Sequence, residues 1–179
     1  MFYVSEIQTK APDRFQTLLQ QKVYETLEKL QIPFERVDTD EAITMEDCAA
    51  IDGKLDMDMV KTLFLCNRQQ TDYYLFVTVG NKPFRSKDFS TALGISRVSF
   101  APAEQMEAML GTKIGAATVF SALLETARNV KIVFDKDVVN EKWYGCSDGT
   151  TTGYMKILTE DICKKFLPYT HHPLSIVEV

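Results

Sequence analysis

Two hydrophobic periods run through this chain, one near 3.6 residues and one of two, and they follow each other without regular alternation. Phe15, Leu18, Leu19, Val23, Leu27 and Leu30 recur at helical spacing, which predicts a helix from Pro12 and Asp13 through Leu30, docked by one face. Ile32 to Val37 reads as a short strand after a turn, and Thr44 as the cap of a helix over Met45 to Ala50. Val60 to Cys66 and Tyr73 to Val79 read as strands on either side of a polar turn, so they form a hairpin.

Further on, Phe89 to Leu93 is predicted helical and Val98 to Ala101 extended. Pro102 opens a helix over Ala103 to Leu110 that Gly111 ends. Val130 to Asp135 is rich in β-branched and aromatic residues and reads as a strand, as does Tyr154 to Leu158. Between them, Cys146 to Gly153 is rich in Ser, Asp, Gly and Thr and reads as a turn. Thr159 to Asp161 caps a closing helix over Ile162 to Leu167, and Tyr169 to Val179 is a tail. The fold class expected is α/β of the α+β type, a mixed sheet curled over a core with helices outside it. A doubly wound nucleotide fold is disfavoured, because no Gly-x-Gly-x-x-Gly follows a strand and no phosphate loop ends in Gly-Lys-Ser or Gly-Lys-Thr.

The 179 residues suit one domain with a sizeable core, taken as 1–179 with residues 1–22 as an N-terminal helical extension. A net charge of -5 excludes a general polyanion-binding field, so contact with nucleic acid requires a local patch. Arg85, Lys87 and Arg97 are candidates for that patch, against the alternative of scattered solvated charges. Cys48, Cys66, Cys146 and Cys163 lack Cys-x-x-Cys spacing, which points to reduced thiols and a cytoplasmic protein rather than a zinc site. No apolar run approaches twenty residues, and the first ten residues carry no signal-like core, so neither secretion nor membrane insertion is expected. His171 and His172 have no spaced ligand partners and read as surface or tail residues; no metal and no cofactor are expected.

Candidate chemistry centres first on Lys61, at the entrance of the hairpin. An ammonium there must reach solvent or meet a negative partner, because burying it unpaired is expensive. The block Gly115-Ala116-Ala117-Thr118-Val119-Phe120 comes second. Its small side chains let backbone approach a ligand, or serve a tight turn in which Gly115 takes positive φ.

Four stretches give the chain a family resemblance: Leu27 to Phe34, Val60 to Leu65, Gly94 to Ala101 and Leu110 to Gly115. In this order and spacing they resemble the YbaK-like family of prolyl-tRNA editing domains and their free-standing aminoacyl-tRNA deacylase relatives, over roughly Val23 to the C-terminus. The resemblance implies a pocket that hydrolyses the ester between a wrongly attached amino acid and the terminal adenosine of a transfer RNA. It sets Lys61 on the family lysine near the 3′-terminal phosphate, Gly115 on the loop glycine facing the aminoacyl group, and Thr44 near a threonine bounding the pocket. Two departures stand out. Val119 follows Thr118 where the family loop has proline, and Cys146 to Gly153 replaces a His-Pro element followed by Asn-Thr-x-Thr.

An aminoacyl ester is already activated, so its hydrolysis needs a placed water and donors for the developing oxyanion. Backbone N–H groups of Gly115, Ala116 and Ala117 are the candidate donors, Lys61 the phosphate anchor and the adjacent ribose hydroxyl the group that orients water. Ala116, Ala117, Thr118, Thr44, Cys146 and Asp148 are the candidate substrate contacts. For Thr44 the alternative is a plain helix cap, for Asp148 an Asp-Gly turn, and for Cys146 either a nucleophile or a structural thiol. The function expected is a trans-acting deacylase of a mischarged transfer RNA, Ala-tRNA(Pro) first. The alternative is a degenerate relative that binds aminoacyl-tRNA or a nucleotide-like ligand without turnover. The partner is the tRNA acceptor end, with association with a synthetase a further possibility.

Overall fold

The computed structural model describes residues 1–179 and shows the curled mixed sheet that the pattern predicts. Its elements are α1 Leu18–Lys29, β1 Glu35–Asp38, α2 Met45–Leu55, β2 Val60–Asn67, β3 Tyr73–Val79, α3 Ser86–Leu93, β4 Val98–Phe100 and α4 Ala103–Leu110. The 3₁₀ turns Val119–Leu123 and Glu125–Ala127 come next, then β5 Lys131–Asp135, α5 Lys136–Val139, β6 Trp143–Ser147 and β7 Gly153–Leu158. A closing helical run, Thr159–Asp161, a π turn Ile162–Phe166 and Leu167–Tyr169, leads to β8 Leu174–Val177.

Strands β4-β2-β3-β5-β8 form a five-stranded sheet, antiparallel around β2 and parallel from β3 to β8; β1-β7-β6 form an antiparallel three-stranded one. A parallel bridge between Met59 and Gly145 joins the two at one corner. The pleat then sorts side chains by parity. Phe64, Leu75, Val77 and Phe134 face inward to meet Tyr144, Met155 and the apolar stripe Leu19, Val23 and Leu27 of α1 in the main core. Leu65, Tyr74, Phe76 and Val133 face outward and are covered by Phe89 of α3. Ile51 and Leu55 of α2 pack on Val37 and Tyr154 of the smaller sheet. Each fully buried side chain of this size contributes about 1.5–3 kcal/mol, so the inward and outward assignments are strongly fixed.

Local chemistry sets the boundaries. Helix α1 starts at Leu18 rather than near Pro12, because the Thr17 side chain accepts from Gln20 N and caps it there. The preceding chain runs as an arm beside β1 through bridges Val4–Thr39 and Gln8–Arg36 and then bends before Thr17, so of the helical extension expected over residues 1–22 only 18–22 are helical. The arm is held by buried Arg36, whose guanidinium donates to Lys10 O, Gln8 Oε1 and Asp38 Oδ1. The sequence predicts a turn from Cys146, whereas β6 runs on to Ser147. Gly145 makes this possible, since a Cβ there would lie 2.5 Å from Met57 Sδ. The expected tail contains β8, and His172 is buried, with Nε2 2.9 Å from Ala127 O, not a surface residue.

Candidate active site

The turn between β6 and β7 is built around one carboxylate. Asp148 is 1% exposed and accepts four hydrogen bonds: from Gln20 Nε2 at 2.9 Å and the Tyr24 hydroxyl at 2.8 Å on Oδ2, and from Thr150 N at 3.1 Å and Thr150 Oγ1 at 2.7 Å on Oδ1. A carboxylate has about four lone-pair positions, so this one is filled by the chain itself. Its role in this geometry is to tie the turn to α1. Gly149 sits at φ 97° with Leu19 against it, and a Cβ at Gly153 would collide with the Asp148 carboxylate, so small residues are required on both sides. Burial raises the Tyr24 hydroxyl pKa well above its ordinary value, and the Asp148 charge adds to the rise, so this donor stays protonated.

The sequence offered no sign of Gln20 or Tyr24, which read simply as positions of an amphipathic helix. Their partner lies 128 and 124 residues away, beyond the reach of any local pattern.

Cys146 lies two residues before Asp148, buried beside Thr118. Burial pushes its thiol well above the usual range and the charge of Asp148 pushes it further, outweighing a hydrogen bond with Thr118. A neutral thiol without a base is a poor nucleophile. Thr118 is itself buried and accepts from Phe120 N, capping the turn Val119–Leu123. Cys146, Thr118 and Asp148 therefore form one buried polar seam along the main core.

The loop before Thr118 is open by contrast. Gly115 is exposed at φ 92°, and a Cβ built there would meet nothing within 4 Å. Ala116 N donates to Lys113 O at 3.0 Å, closing a turn, whereas the N–H groups of Gly115 and Ala117 donate to no atom of the chain. Two backbone donors thus flank a fixed turn, anchored on one side by Gly111 at φ 65° and on the other by buried Thr118.

Thr44 is exposed and caps α2, with Oγ1 accepting from Asp47 N at 3.1 Å while Asp47 Oδ2 accepts from Thr44 N at 3.0 Å. This end of α2 lies against the turn of β6 and β7, since Ala42 N donates to Thr151 O and Thr39 N to Thr152 O. Gln16 Nε2 reaches Thr152 Oγ1 at 2.8 Å from the α1 side. The structure therefore gathers Thr44, Asp148 and Cys146, with Thr118, around the β6–β7 turn.

Lys61 stands apart from that group. It shares the outward parity of Leu63 and Leu65, pairs across the ladder with Thr78, and its Nζ donates to the Lys82 carbonyl. Nearby, Lys82 Nζ binds Asp135 Oδ2 at 2.7 Å and Asp137 Oδ2 at 2.6 Å, and Thr78 Oγ1 also donates to Asp135 at 2.7 Å. Burial alone would raise the Asp135 carboxyl, but these hydrogen bonds outweigh it and hold the pKa below the usual carboxylate value. Lys61 has no carboxylate partner within 4.0 Å; Asp135 and Asp137 instead bind Lys82.

Comparison with known proteins places this curled mixed sheet and its glycine loop among aminoacyl-tRNA editing domains. The pattern of the aminoacyl-tRNA editing domain matches residues 39–165, and the chain belongs to that family. The matched span holds Thr44, Lys61, Gly115, Cys146 and Asp148, whereas Gln20 and Tyr24 of α1 precede it. The prolyl-tRNA editing protein ProX of Acetoanaerobium sticklandii is 26% identical over 144 residues, which cover 80% of this chain and 88% of that protein. A candidate trans-editing enzyme for prolyl tRNA synthetase shares the fold, with TM-score 0.64 and 15% identity over 92% of this chain and 99% of the other. So does the protein APE2540, with TM-score 0.67 and 18% identity over 87% of this chain and 98% of the other. No helix is long and apolar enough to cross a membrane.

Proposed function

We propose that this protein is an aminoacyl-tRNA ester hydrolase acting in trans in the cytoplasm, with Ala-tRNA(Pro) as its substrate. The observation that carries the reading is the Gly115 loop, where two unengaged backbone N–H groups flank a turn with open space in front of it. Water adds to the ester carbonyl, the oxygen takes up negative charge facing those donors, and collapse releases the amino acid while the ribose oxygen takes a proton. Lys61 anchors the terminal phosphate as a point charge, leaving the Lys82 carbonyl to do so. The ribose hydroxyl beside the ester orients the water, so no protein base is required. Similarity to ProX along 88% of that protein supports a prolyl-tRNA substrate.

A second reading, binding without turnover, has one observation in its favour. Where the resemblance implies a His-Pro element this chain reads Cys146 to Gly153, and Cys146, buried and with a raised pKa, supplies neither base nor nucleophile. The experiment that separates the two is deacylation of alanine, cysteine and serine esters of proline transfer RNA by wild type and Lys61→Ala. Loss of the alanine ester with wild type and not with the variant supports the enzyme and its substrate. No turnover of any ester by folded wild type rules out the enzyme reading and leaves the binding one.

A further inference from the structure

The segment from Lys82 to Phe100 carries four cations and one carboxylate in a chain of net charge -5. It contains α3 and β4, and each flank of α3 opens a cavity of about 210 Å³. The two differ in chemistry. One is lined by Phe76, Lys82, Phe84, Arg85, Asp88 and Phe89 among others; it holds a carboxylate, and Lys82 is already bound to Asp135 and Asp137. The other is lined by Lys87, Ser90, Thr91, Ile95 and Arg97, with no carboxylate.

Several features make this second cavity a site rather than a gap. Neither Lys87 nor Arg97 has an acidic partner within 4.0 Å, although ten ion pairs form elsewhere in the chain. The walls are also fixed relative to each other. Ser86 Oγ donates to the Val98 carbonyl, joining α3 to β4, and Ile95 N donates to Ser90 O at 3.0 Å around Gly94 in the left-handed conformation. A guanidinium and an ammonium beside one space that holds no carboxylate match the charge of a tetrahedral oxyanion, and the Thr91 hydroxyl adds a donor at its edge.

We infer that the cavity between α3 and β4 binds a phosphate of an RNA backbone, held by Lys87 and Arg97 with Thr91 as a hydroxyl donor. The inference rests on the transfer RNA reading above and assigns the acceptor-side phosphates a seat outside the ester-cleaving loop. The rest of the protein is acidic and repels RNA, so the seat fixes which face approaches.

The test is binding of uncharged proline transfer RNA, read by fluorescence anisotropy across 50–200 mM salt, with wild type, Lys87→Gln, Arg97→Gln, Thr91→Ala and Lys164→Gln as a remote charge control. Each of Lys87→Gln and Arg97→Gln lowers the salt slope by about 1, the double variant by about 2, and Lys164→Gln leaves it unchanged. Thr91→Ala weakens binding with the slope kept, and thermal melts establish that each variant is folded. Slopes equal to wild type overturn the inference while deacylation stands on its own. Binding of inorganic phosphate that Lys87→Gln and Arg97→Gln weaken, with no effect of those variants on RNA binding, assigns the cavity to a free phosphate and also overturns the inference. If wild type neither binds RNA nor cleaves any ester, the transfer RNA reading itself fails.

Discussion

The Tyr24 hydroxyl donates to Asp148 Oδ2 at 2.8 Å, across 124 residues of sequence, and with Gln20 it fastens α1 to the turn that adjoins the candidate site. A hydrogen bond to a buried charged group is worth about 1.5–3 kcal/mol, so Tyr24→Phe destabilises by that amount in urea denaturation. Asp148→Ala costs about 3 kcal/mol or more, because it strands Gln20, Tyr24 and Thr150 as buried donors. Asp148→Asn is milder than Ala, since it retains one acceptor oxygen. A Tyr24→Phe variant as stable as wild type contradicts this picture of the clamp.

Thiol reactivity reports the state of the β6–β7 seam. Cys146 is buried with its pKa raised by burial, whereas Cys48 and Cys163 are only partly buried, although burial raises their pKa as well. Native protein treated with iodoacetamide at pH 8 is alkylated at Cys48 and Cys163 long before Cys146, as mass spectrometry of the digest reads. Urea brings all three to similar rates. Rapid alkylation of native Cys146 contradicts its burial and reopens a nucleophilic role.

Asp52 gives a pH signature. Its carboxyl is pushed up from 3.8 to about 6, mainly by burial, with the hydrogen bond from Met59 N opposing and the Asp58 charge adding. The folded state therefore holds this proton more tightly than the unfolded chain. That stabilisation is fully present below 3.8 and is lost as pH rises through about 6. Asp52→Asn, which keeps an acceptor for Met59 N, melts higher than wild type at pH 7.5, and the difference closes as pH falls toward 4. A constant difference across that range contradicts the assignment.

The sequence was most legible where local signals agreed. Strand β3 and helix α4 stand at their expected residues, because alternation defines the first and Pro102 with Gly111 brackets the second. The start of α1 was misjudged since Phe15 continues the helical period, but the capping hydroxyl of Thr17 overrides it. Strand β6 escaped notice because Gly145, Cys146 and Ser147 have little strand propensity; tertiary contacts to β7 and Met57 hold them extended. The individual residues around the site could be picked out in the sequence, but their grouping could not. Which face Lys61 takes depends on the parity of β2 in a folded sheet, and the partners of Asp148 come from a helix more than a hundred residues away.

The central claim is that the Gly115 loop supplies oxyanion donors. At φ 92° a side chain is strained by about 1–3 kcal/mol, so Gly115→Ala moves the loop amides, although a Cβ there meets no neighbour. The decisive measurement is the first-order rate of alanine release from Ala-tRNA(Pro) by excess wild type and Gly115→Ala, with folding checked by thermal melts. Wild type releases alanine faster than the buffer blank, and the variant, still folded, is slower by roughly a hundredfold, the cost of displacing an oxyanion donor. Equal rates for the two proteins contradict the claim.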